Sequence, residues 1–302
     1  MPLCSPSEEN TCAIIVTYHP DDSFPIRFRE TSKQFPQAVI VDNGSNDRAI
    51  CMLKNLAAHN KVKLITNAAN IGVAAALNQA IKFASSRRFE WIVTFDQDTA
   101  IFPDLLTTLA HVHGECADER TLIGANYWNA NKRRFFLDCR ADSVGFQRRK
   151  TLITSGMLIS LQTFLDIGLF REDYFIDSVD HEFCLRARRF GYQILMSCKP
   201  GMTQTIGNTE LKETWLRPHM SFNHVPSRKY YIARNSVMTI RIYFRQEPLW
   251  SMFQILRLIG DIGSILLYEP EKSKKLRAFA RGVRHGVRGK MGPIEVAWPN
   301  GF

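Results

Sequence analysis

Residues Trp91–Asp98 read WIVTFDQD, a run of five uncharged residues that leads directly into two aspartates. A short uncharged run of this kind is typical of a strand buried on both faces of a sheet. Cys12–Tyr18 and Ala38–Asp42 have the same character, and Lys63–Thr66 is a further short strand candidate. An apolar repeat at helical spacing follows, with Asn70 as its predicted N-cap. Strands that alternate with helices predict an α/β fold, a mostly parallel sheet flanked by helices.

Polar side chains follow these strands at the point where each strand ends. Ligands of parallel sheets bind at the carboxyl ends of the strands, so we expect a binding edge there. Two carboxylates two residues apart can share a hard divalent cation and its phosphates, although a solvated turn explains the same short motif. The carboxylate after the second strand can accept a hydrogen bond from a pyrimidine N–H, and an ordinary Asn-Gly turn is the alternative. The side chains of this edge are Thr17, Tyr18, Asp42, Asn43, Asp96 and Asp98.

Another acidic cluster, Asp177–Glu182, precedes a helical pattern that places Phe183, Ala187 and Phe190 on one face and stops at Gly191. Acids in the first turn of a helix are favoured by the helix dipole alone. The same dipole keeps a carboxylate ionised, as a general base must be before it accepts a proton. From these residues both explanations stay open.

The chain has 302 residues and a formal net charge of +10. Such a surplus indicates an anionic partner, which can be nucleic acid, a membrane surface or a phosphorylated ligand. Residues 241–302 contain eleven Lys or Arg and five Asp or Glu, so +6 of the surplus lies in this tail. Because acids occupy the strand ends and the excess lies in the tail, we predict no nucleic-acid binding.

The tail combines an apolar and aromatic segment, Leu249–Tyr268, with a basic helical pattern, Lys272–Lys290. Helices of this composition lie well on anionic lipid. Packing on the rest of the chain or on a second subunit explains the same pattern. We do not expect a membrane-spanning helix, since Arg257 and Asp261 interrupt the apolar segment.

Seven cysteines form no C-x-x-C pair, which argues against a disulfide framework and a zinc ribbon. Residues Met1–Asn10 lack the apolar core of a secretory signal. The expected compartment is therefore the reducing cytoplasm.

Several nucleotide-binding and hydrolase motifs are absent from the sequence. No G-x-G-x-x-G follows the first strand, and neither a P-loop nor a G-x-S-x-G elbow occurs. A nucleotidyltransferase also uses an acid pair at a strand end, but His19–Ile26 lacks the Gly- and Arg/Lys-rich phosphate loop expected of one.

Seven short stretches of the sequence are informative when they are taken together in their order along the chain. They are Cys12–Pro20, Val41–Ser45, Asn70–Asn78, Phe95–Thr99, Ser155–Ile159, Phe175–Arg186 and His224–Asn235. In this order they resemble the family 2 glycosyltransferases of GT-A fold, and most closely the rhamnosyltransferases that build bacterial surface polysaccharides. The resemblance covers roughly residues 12–236.

The resemblance implies an inverting glycosyltransferase. Its expected donor is dTDP-rhamnose, with another UDP- or dTDP-sugar as the alternative and a metal-dependent nucleotidyltransferase as the less favoured one. The expected acceptor is a saccharide or a lipid-linked saccharide. The implied catalytic domain spans residues 1–240, with a nucleotide-sugar half at 12–100 and an acceptor half at 101–240. A helical appendage follows at 241–302.

The resemblance also implies roles for matching residues. Asp42 matches the acid that contacts the pyrimidine, and Asp180 matches the catalytic base that activates the acceptor hydroxyl. The further donor-binding positions are Thr17, Tyr18, Asn43, Asn70, Gly72, Asp96, Asp98 and Arg234.

The family's D-x-D pair matches Asp96 and Asp98, with Asp98 as the direct ligand of a weakly held Mg²⁺ or Mn²⁺ and Asp96 nearer the ribose. One position departs from the family's pattern, because Gln204 stands where a metal-binding His often occurs. Three alternatives stay open. Either His219 or His224 substitutes, or the metal is weakly held and enters with the nucleotide, or the metal is dispensable.

The resemblance suggests a location as well, since acceptors of such enzymes are often carried on lipid at the inner leaflet. We therefore expect a cytoplasmic protein whose segment 241–302 touches the inner face of the cytoplasmic membrane. A homo-oligomer contact through the same segment is the alternative.

Overall fold

The computed structural model describes residues 3–60, 62–116, 118–129, 133–139, 145–204, 210–212, 219–221 and 223–294. The chain divides into two compact units. The first unit takes residues 1–170 and 183–205, and the second takes residues 171–182 and 206–302. These units differ from the predicted segments 1–240 and 241–302, because residue 240 lies well inside the second unit.

One ten-stranded sheet forms the centre of the first unit. Its strands are β1 Thr11–Thr17, β2 Ala38–Asp42, β3 Lys63–Thr66, β4 Trp91–Asp96, β5 Ala100–Ile101, β6 Thr121–Asn129, β7 Arg134–Phe135, β8 Phe146–Arg148, β9 Met157–Ser160 and β10 Gln193–Gln204. The helices of this unit are α1 Phe24–Gln34, α2 Asp47–Asn60, α3 Val73–Ser86, α4 Leu105–Glu115, α5 Leu161–Ile167 and most of α6 Val179–Arg189. The predicted α/β architecture is confirmed.

The sheet is mostly parallel, in the order β3-β2-β1-β4-β9-β6-β10-β5, with β7 on β6 and β8 on β10. Strands β3, β2, β1 and β4 pair in parallel, and so do β6 and β10. Strand β9 is antiparallel to both of its neighbours, β4 and β6. Six strands thus run parallel to one another, as predicted, whereas β9 near the middle of the sheet and the short strands β5, β7 and β8 are antiparallel to their neighbours.

The strand ends meet as the sequence predicts. Every residue of β2 is buried, as are the first five residues of β4, because both faces of the sheet are covered. The register places Thr17 beside Asp42 and Val16 beside Asp96. Polar side chains of three adjacent strands therefore come together at one edge of the sheet.

Two predicted helix ends need correction. Asn70 is not the N-cap of α3, because Gly72, with a φ of 89°, takes that position and Val73 is the first helical residue. The Asn70 side chain instead accepts a hydrogen bond from the Gly72 N–H at 2.9 Å. The second correction concerns the C-terminal end of α6. Phe190 lies beyond the last helical residue and is exposed, so it does not share the buried face of Phe183 and Ala187. Gly191, with a φ of 87°, follows the helix as predicted.

The second unit begins with a 3-10 turn, Glu172–Tyr174, and the first turn of α6. Its other elements are β11 Glu210–Lys212, β12 His219–Ser221, α7 Pro226–Tyr243, α8 Pro248–Tyr268 and α9 Lys272–Arg288. Helix α7 is continuous across residue 240, and α9 packs closely along it. A Cβ on Gly282 or Gly286 would meet backbone carbonyl oxygens of α7. The tail helices are therefore integral to this unit.

Three buried charges tie the helices of the second unit together. Glu269, directly after α8, accepts hydrogen bonds from Lys229 of α7 at 2.7 Å and from Lys275 of α9 at 2.9 Å. The three side chains are 1–3% exposed. Burial opposes the ionised carboxylate, but the two lysine hydrogen bonds outweigh it and lower the pKa of Glu269.

One disulfide corrects the expectation drawn from the cysteines. Cys139 and Cys198 are bonded across 59 residues of sequence, with Cα atoms 5.6 Å apart. Short-range spacing does not reveal such a pair, because only the fold brings β10 next to the segment after β7. The argument from cysteines to a reducing compartment loses part of its support.

Replacing Glu269 by Gln should lower the free energy of unfolding by about 3–5 kcal/mol, since two buried ammonium groups then lose their counter-charge. Urea titration at pH 7 measures this change. Glu271→Gln is the control, because Glu271 pairs with Lys274 at the surface, where ion pairs contribute little. Equal and small losses in the two variants would show that the buried cluster does not hold the helices.

Candidate active site

The ends of β1 and β2 are joined by Asp42, which has no exposed surface. Its Oδ1 accepts hydrogen bonds from the Thr17 hydroxyl at 3.1 Å and from the Ser45 hydroxyl at 2.5 Å. Its Oδ2 accepts from the backbone N–H of Ser45 at 2.9 Å. Asp42 thus fixes the turn after β2. In this arrangement the carboxylate presents no surface to a ligand, and the pyrimidine contact stays a prediction.

Asn43 connects this turn to the loop before α3. Its amide donates to Asn70 Oδ1 at 2.9 Å, and its Oδ1 accepts from the Ile71 N–H at 3.1 Å. Gly44 has a φ of 86°, and a Cβ there would lie 2.6 Å from the carbonyl carbon of Ala69. The two loops meet backbone to backbone, so glycine is required between them.

Above this buried frame lies an accessible rim. Tyr18, Asn70 and Asp98 are exposed, and Asp96 is half-buried. Thr17, Asp42, Asn43 and Gly72 are buried beneath them. The structure therefore brings the predicted donor residues of the first unit together but divides them into a frame and a surface.

Gln97, between the two aspartates, has a role that the motif does not reveal. Its Oε1 accepts from the Tyr18 backbone N–H at 2.8 Å, and its Nε2 donates to the Tyr18 carbonyl oxygen at 3.2 Å. Arg27 Nε donates to the Gln97 carbonyl oxygen at 3.0 Å. These bonds fasten the turn that carries Asp96 and Asp98 to the end of β1.

Gln204, the last residue of β10, lies beside the acid pair. Its Nε2 donates to Asp96 Oδ2 at 2.8 Å, which turns the amide oxygen away from the carboxylate. That oxygen is buried and has no hydrogen-bond partner among the described residues. A buried acceptor without a partner costs free energy, and carboxylate and amide oxygens are the ligands that hard divalent cations take. The residues present, Asp98, Asp96 and Gln204, carry the oxygen types that such a cation takes, and a cation shared with Asp96 requires the Gln204 amide to rotate so that its oxygen replaces the NH₂ group.

The histidines considered as replacement ligands are less suited. Burial, together with the nearby cations Arg228 and Lys229, lowers the pKa of His224 to about 3. The same cations disfavour a further positive ion. The side chain of His219 lies outside the described residues. Within the described ranges, no group of three or more His, Cys, Asp or Glu is arranged to hold a metal ion.

The Asp177–Glu182 cluster lies in the second unit, and the structure distinguishes its acids. Glu182 is 2% exposed and accepts a hydrogen bond from the Tyr243 hydroxyl at 2.9 Å. Asp177 is paired with Arg228, whose Nε and Nη2 donate at 3.3 Å. Burial raises the pKa of Asp177 despite Arg228, and the neighbouring Asp180 adds to the rise.

Asp180 differs from these two acids. It is half-buried, and its Oδ1 accepts from the backbone N–H of His181 at 2.8 Å. In the described part of the chain it forms no ion pair. Trp250 of α8 packs edge-on against His181, with ring centroids 5.8 Å apart. Burial lowers the pKa of His181, so its ring adds no charge beside Asp180 at neutral pH.

Arg234 does not have the predicted role. It has no exposed surface, and its guanidinium donates to the carbonyl oxygens of Asp173, Tyr174 and Gly292. A buried guanidinium that is already bonded to the backbone offers nothing to a donor diphosphate. The donor-binding assignment of Arg234 is therefore replaced by a structural one.

Three residues with structural roles, Gln97 in the first unit and Asn235 and Trp250 in the second, could not be assigned from the sequence. Gln97 was the unspecified middle of a motif, and Asn235 was noted only as the end of a stretch. Trp250 belonged to an apolar segment. It lies seven residues before Arg257, so on a helix the two side chains share one face. This spacing was the one signal in the sequence that set Trp250 apart from the apolar residues around it.

Comparisons with known proteins agree with the resemblance. Residues 12–150 match the family model described as Glycosyl transferase family 2. The chain is 28% identical over 298 residues to dTDP-rhamnosyl transferase RfbF of Shigella flexneri, covering 94% of this chain and 97% of that protein. The match supports the rhamnosyltransferase-like interpretation.

A solved structure supports the fold. The crystal structure of GalNAc-T7 with UDP, GalNAc and Mn²⁺ matches with a TM-score of 0.59 and 12% identity. The match covers 96% of this chain but 58% of that one, so the chain spans little more than half the length of GalNAc-T7. At this identity the likeness shows the GT-A-like fold alone.

Proposed function

Because the chain is a glycosyltransferase with a family 2 domain and is rhamnosyltransferase-like, we propose that it transfers L-rhamnose from dTDP-rhamnose to a hydroxyl group. The acceptor is a saccharide or lipid-linked saccharide of a bacterial surface polysaccharide. The observation that carries this proposal is the similarity to a dTDP-rhamnosyl transferase, which extends over 94% of the chain and so includes both units. Another UDP- or dTDP-sugar is the second candidate, since the family match alone does not specify the sugar.

In the proposed reaction Asp180 is the general base. Its carboxylate takes the proton of the acceptor hydroxyl while the hydroxyl oxygen bonds to the anomeric carbon. The bond from that carbon to the diphosphate breaks, and its electron pair leaves with dTDP. One displacement of this kind inverts the anomeric centre. Asp180 suits the role better than its neighbours, because Glu182 is sequestered by Tyr243 and Asp177 is paired with Arg228.

The exposed rim of the first unit is assigned to the donor. Tyr18, Asn70 and Asp98 provide its accessible surface, and the buried frame holds them in place. Oxygens of Asp98, Asp96 and Gln204 would hold Mg²⁺ or Mn²⁺. When bound, such a cation stabilises the negative charge of the departing diphosphate.

Asp180→Asn tests the mechanism. The variant should bind dTDP-rhamnose as the wild type does but lose about 10²–10⁴-fold in transfer rate, because the amide cannot accept the acceptor proton. Calorimetric titration of the donor and a transfer assay measure the two quantities. Transfer at the wild-type rate would remove Asp180 from the mechanism, and Asp177→Asn would be examined next.

The same assays test the donor. Wild-type protein should be stabilised against heat and turn over with dTDP-rhamnose in preference to UDP-glucose and dTDP-glucose. Equal response to dTDP-glucose would contradict the rhamnose assignment but leave the base assignment intact.

Gln204→Leu tests the cation site. The substitution removes the unpartnered oxygen, so Mn²⁺ affinity in the presence of dTDP should fall by about 10–100-fold. Electron paramagnetic resonance of free Mn²⁺ reports this without an activity assay. Gln193→Leu is the matched control, since Gln193 begins the same strand and bonds to Asp118. Unchanged affinity in Gln204→Leu, or full activity after exhaustive chelation, would contradict the cation role.

Helix α8 has three faces, and one of them is an exposed apolar surface. One of its faces packs on α7 and α9 through Ile262 and Ile265. A second face carries Trp250, Arg257 and Asp261 at helical spacing. The third face is apolar and 48–77% exposed, and it consists of Leu249, Met252, Phe253, Leu256, Ile259, Leu266 and Leu267. Exposed apolar surface of this extent marks an interaction site.

An open cavity of about 470 Å³ continues this face. Helices α7, α8 and α9 line it mainly with apolar side chains, and Ile259 belongs to both surfaces. Helix α9 adds exposed charge at intervals of three or four residues, from Lys274, Arg277, Arg281, Arg284 and Arg288. An apolar face beside a basic one matches the two properties of an anionic bilayer surface. We propose that such a membrane is what this surface binds.

Among the described residues, one helix, Pro248–Tyr268, is long and apolar enough to cross a membrane. We propose that it lies on the membrane instead. Its Trp250 contacts His181, and Ile265 is buried among residues of α7 and α9. A crossing helix would have to give up both contacts.

Leu249→Ser with Phe253→Ser should reduce binding to phosphatidylglycerol vesicles at least about tenfold, because each residue loses about 1.5–3 kcal/mol of burial. Co-sedimentation measures this binding. Leu165→Ser is the control, since Leu165 is as exposed as Leu249, at 77%. Arg281→Glu should also weaken binding. Vesicle binding that neither variant changes contradicts the proposal, and so does a dimer in sedimentation analysis that the double variant dissociates.

A further inference from the structure

The segment before Asp180 has an unusual backbone. Phe175, Asp177 and Ser178 have φ values of 65°, 64° and 59°. Residues with a side chain rarely adopt this left-handed region, and they persist there only when surrounding bonds hold them. The first hydrogen bond of α6 runs from the Glu182 N–H to the Ser178 carbonyl oxygen at 2.9 Å. The direction in which the helix leaves the segment is therefore set by these residues.

Asn235, in the middle of α7, supplies the bonds that hold this backbone. Its Nδ2 lies 2.9 Å from the carbonyl oxygen of Tyr174, 2.7 Å from that of Ile176 and 2.8 Å from that of Asp177. One amide group with two protons thus serves three carbonyl oxygens within a segment of four residues. Asn235 has no exposed surface, so water cannot replace it.

Arg234 fixes the orientation of that amide. Its Nε donates to Asn235 Oδ1 at 2.9 Å, which leaves the Asn235 NH₂ pointing toward the segment. Its Nη2 donates to the carbonyl oxygens of Asp173 and Tyr174 at 3.2 and 3.1 Å, and its Nη1 to Gly292 at 2.5 Å. The guanidinium also lies over the rings of Tyr230 and Tyr231, 5.3 and 4.9 Å from their centroids.

We infer that Asn235 and Arg234 are positioning residues, which impose the left-handed backbone of residues 175–178 and thereby aim Asp180. The inference rests on the proposed function, in which Asp180 is the base. Neither side chain touches substrate. Other contacts support the same segment, since Phe175 stacks on Tyr231 at 5.1 Å. The Asn235 amide bonds to the backbone on both sides of Phe175, at Tyr174 before it and at Ile176 and Asp177 after it.

Asn235→Ala tests the inference. It should lower kcat by about 10–100-fold, as expected for a base displaced by a fraction of an ångström to an ångström. The KM for dTDP-rhamnose should not change, since Asn235 contacts no donor in this assignment. Rates are measured well below the melting temperature of each variant. Asn235→Ser retains one hydrogen-bond donor, so its loss of kcat should be smaller. If Asn235→Ala does not fold, Asn235→Ser is used for the test in its place.

A matched control separates positioning from general stability. Asn126 is equally buried, and its amide donates to the carbonyl oxygens of Leu137 at 2.9 Å and Cys198 at 3.1 Å within the first unit. Asn126→Ala should lower the melting temperature but leave kcat unchanged. Equal loss of kcat in the two alanine variants would overturn the inference.

The double variant Asp180→Asn with Asn235→Ala distinguishes this inference from the proposed function. If Asn235 acts through Asp180, its loss should add nothing in the Asp180→Asn background. Full additivity overturns the positioning role and leaves the base assignment standing. Wild-type transfer by Asp180→Asn alone overturns the base assignment, and the positioning inference fails with it.

Discussion

The polar edge of the sheet depends on the register of three parallel strands. Thr17 pairs with Asp42 and Val16 with Asp96, and a slip of one residue would turn every side chain to the opposite face. A slip of β2 or β4 would also move the carboxylate at the end of the strand, Asp42 or Asp96, away from its partners at the edge or into the apolar core, and burying an unpaired charge is costly. The polar residues of the edge lie where the strands leave the core, and there they bond to one another, as Thr17 does to Asp42. The burial that fixes the sheet is therefore also what gathers the polar groups at its edge.

In the second unit, side-chain hydrogen bonds and not strand pairing fix the backbone that carries the acids. Its acids follow an irregular segment, whose backbone has no strand ladder to define it. Arg234 and Asn235 take the place of a ladder, because their side chains satisfy carbonyl oxygens that would otherwise be buried without partners. Carbonyl dipoles and aromatic faces offset the charge of this buried guanidinium. Removing a single side chain there would release several backbone groups at once.

Much of the first unit could be predicted from the sequence. Buried strands are short and uncharged, and their ends carry the polar residues, so local patterns were sufficient for β1, β2 and β4. Asn70 was misassigned because a cap and a loop-bridging asparagine look alike until the partner, Asn43, is known. Arg234 was misassigned because a basic residue near a site suggests an anion, whereas its partners are carbonyl oxygens far away in sequence. The disulfide of Cys139 and Cys198 also depends on long-range contacts, which local spacing does not encode.

How much of the tail's surplus positive charge reaches the surface depends on where each basic residue lies in the structure. Lys275 contributes to the count but is buried against Glu269, and Lys274 is paired with Glu271. Neither presents a full charge to a surface. Four arginines of α9 remain exposed on one face, and they adjoin the helix whose apolar side chains are exposed. What an anionic bilayer would meet is therefore this arginine row beside an apolar surface. The field close to α9 follows from that row and not from the net charge of the chain, because screening confines it to about 8–10 Å.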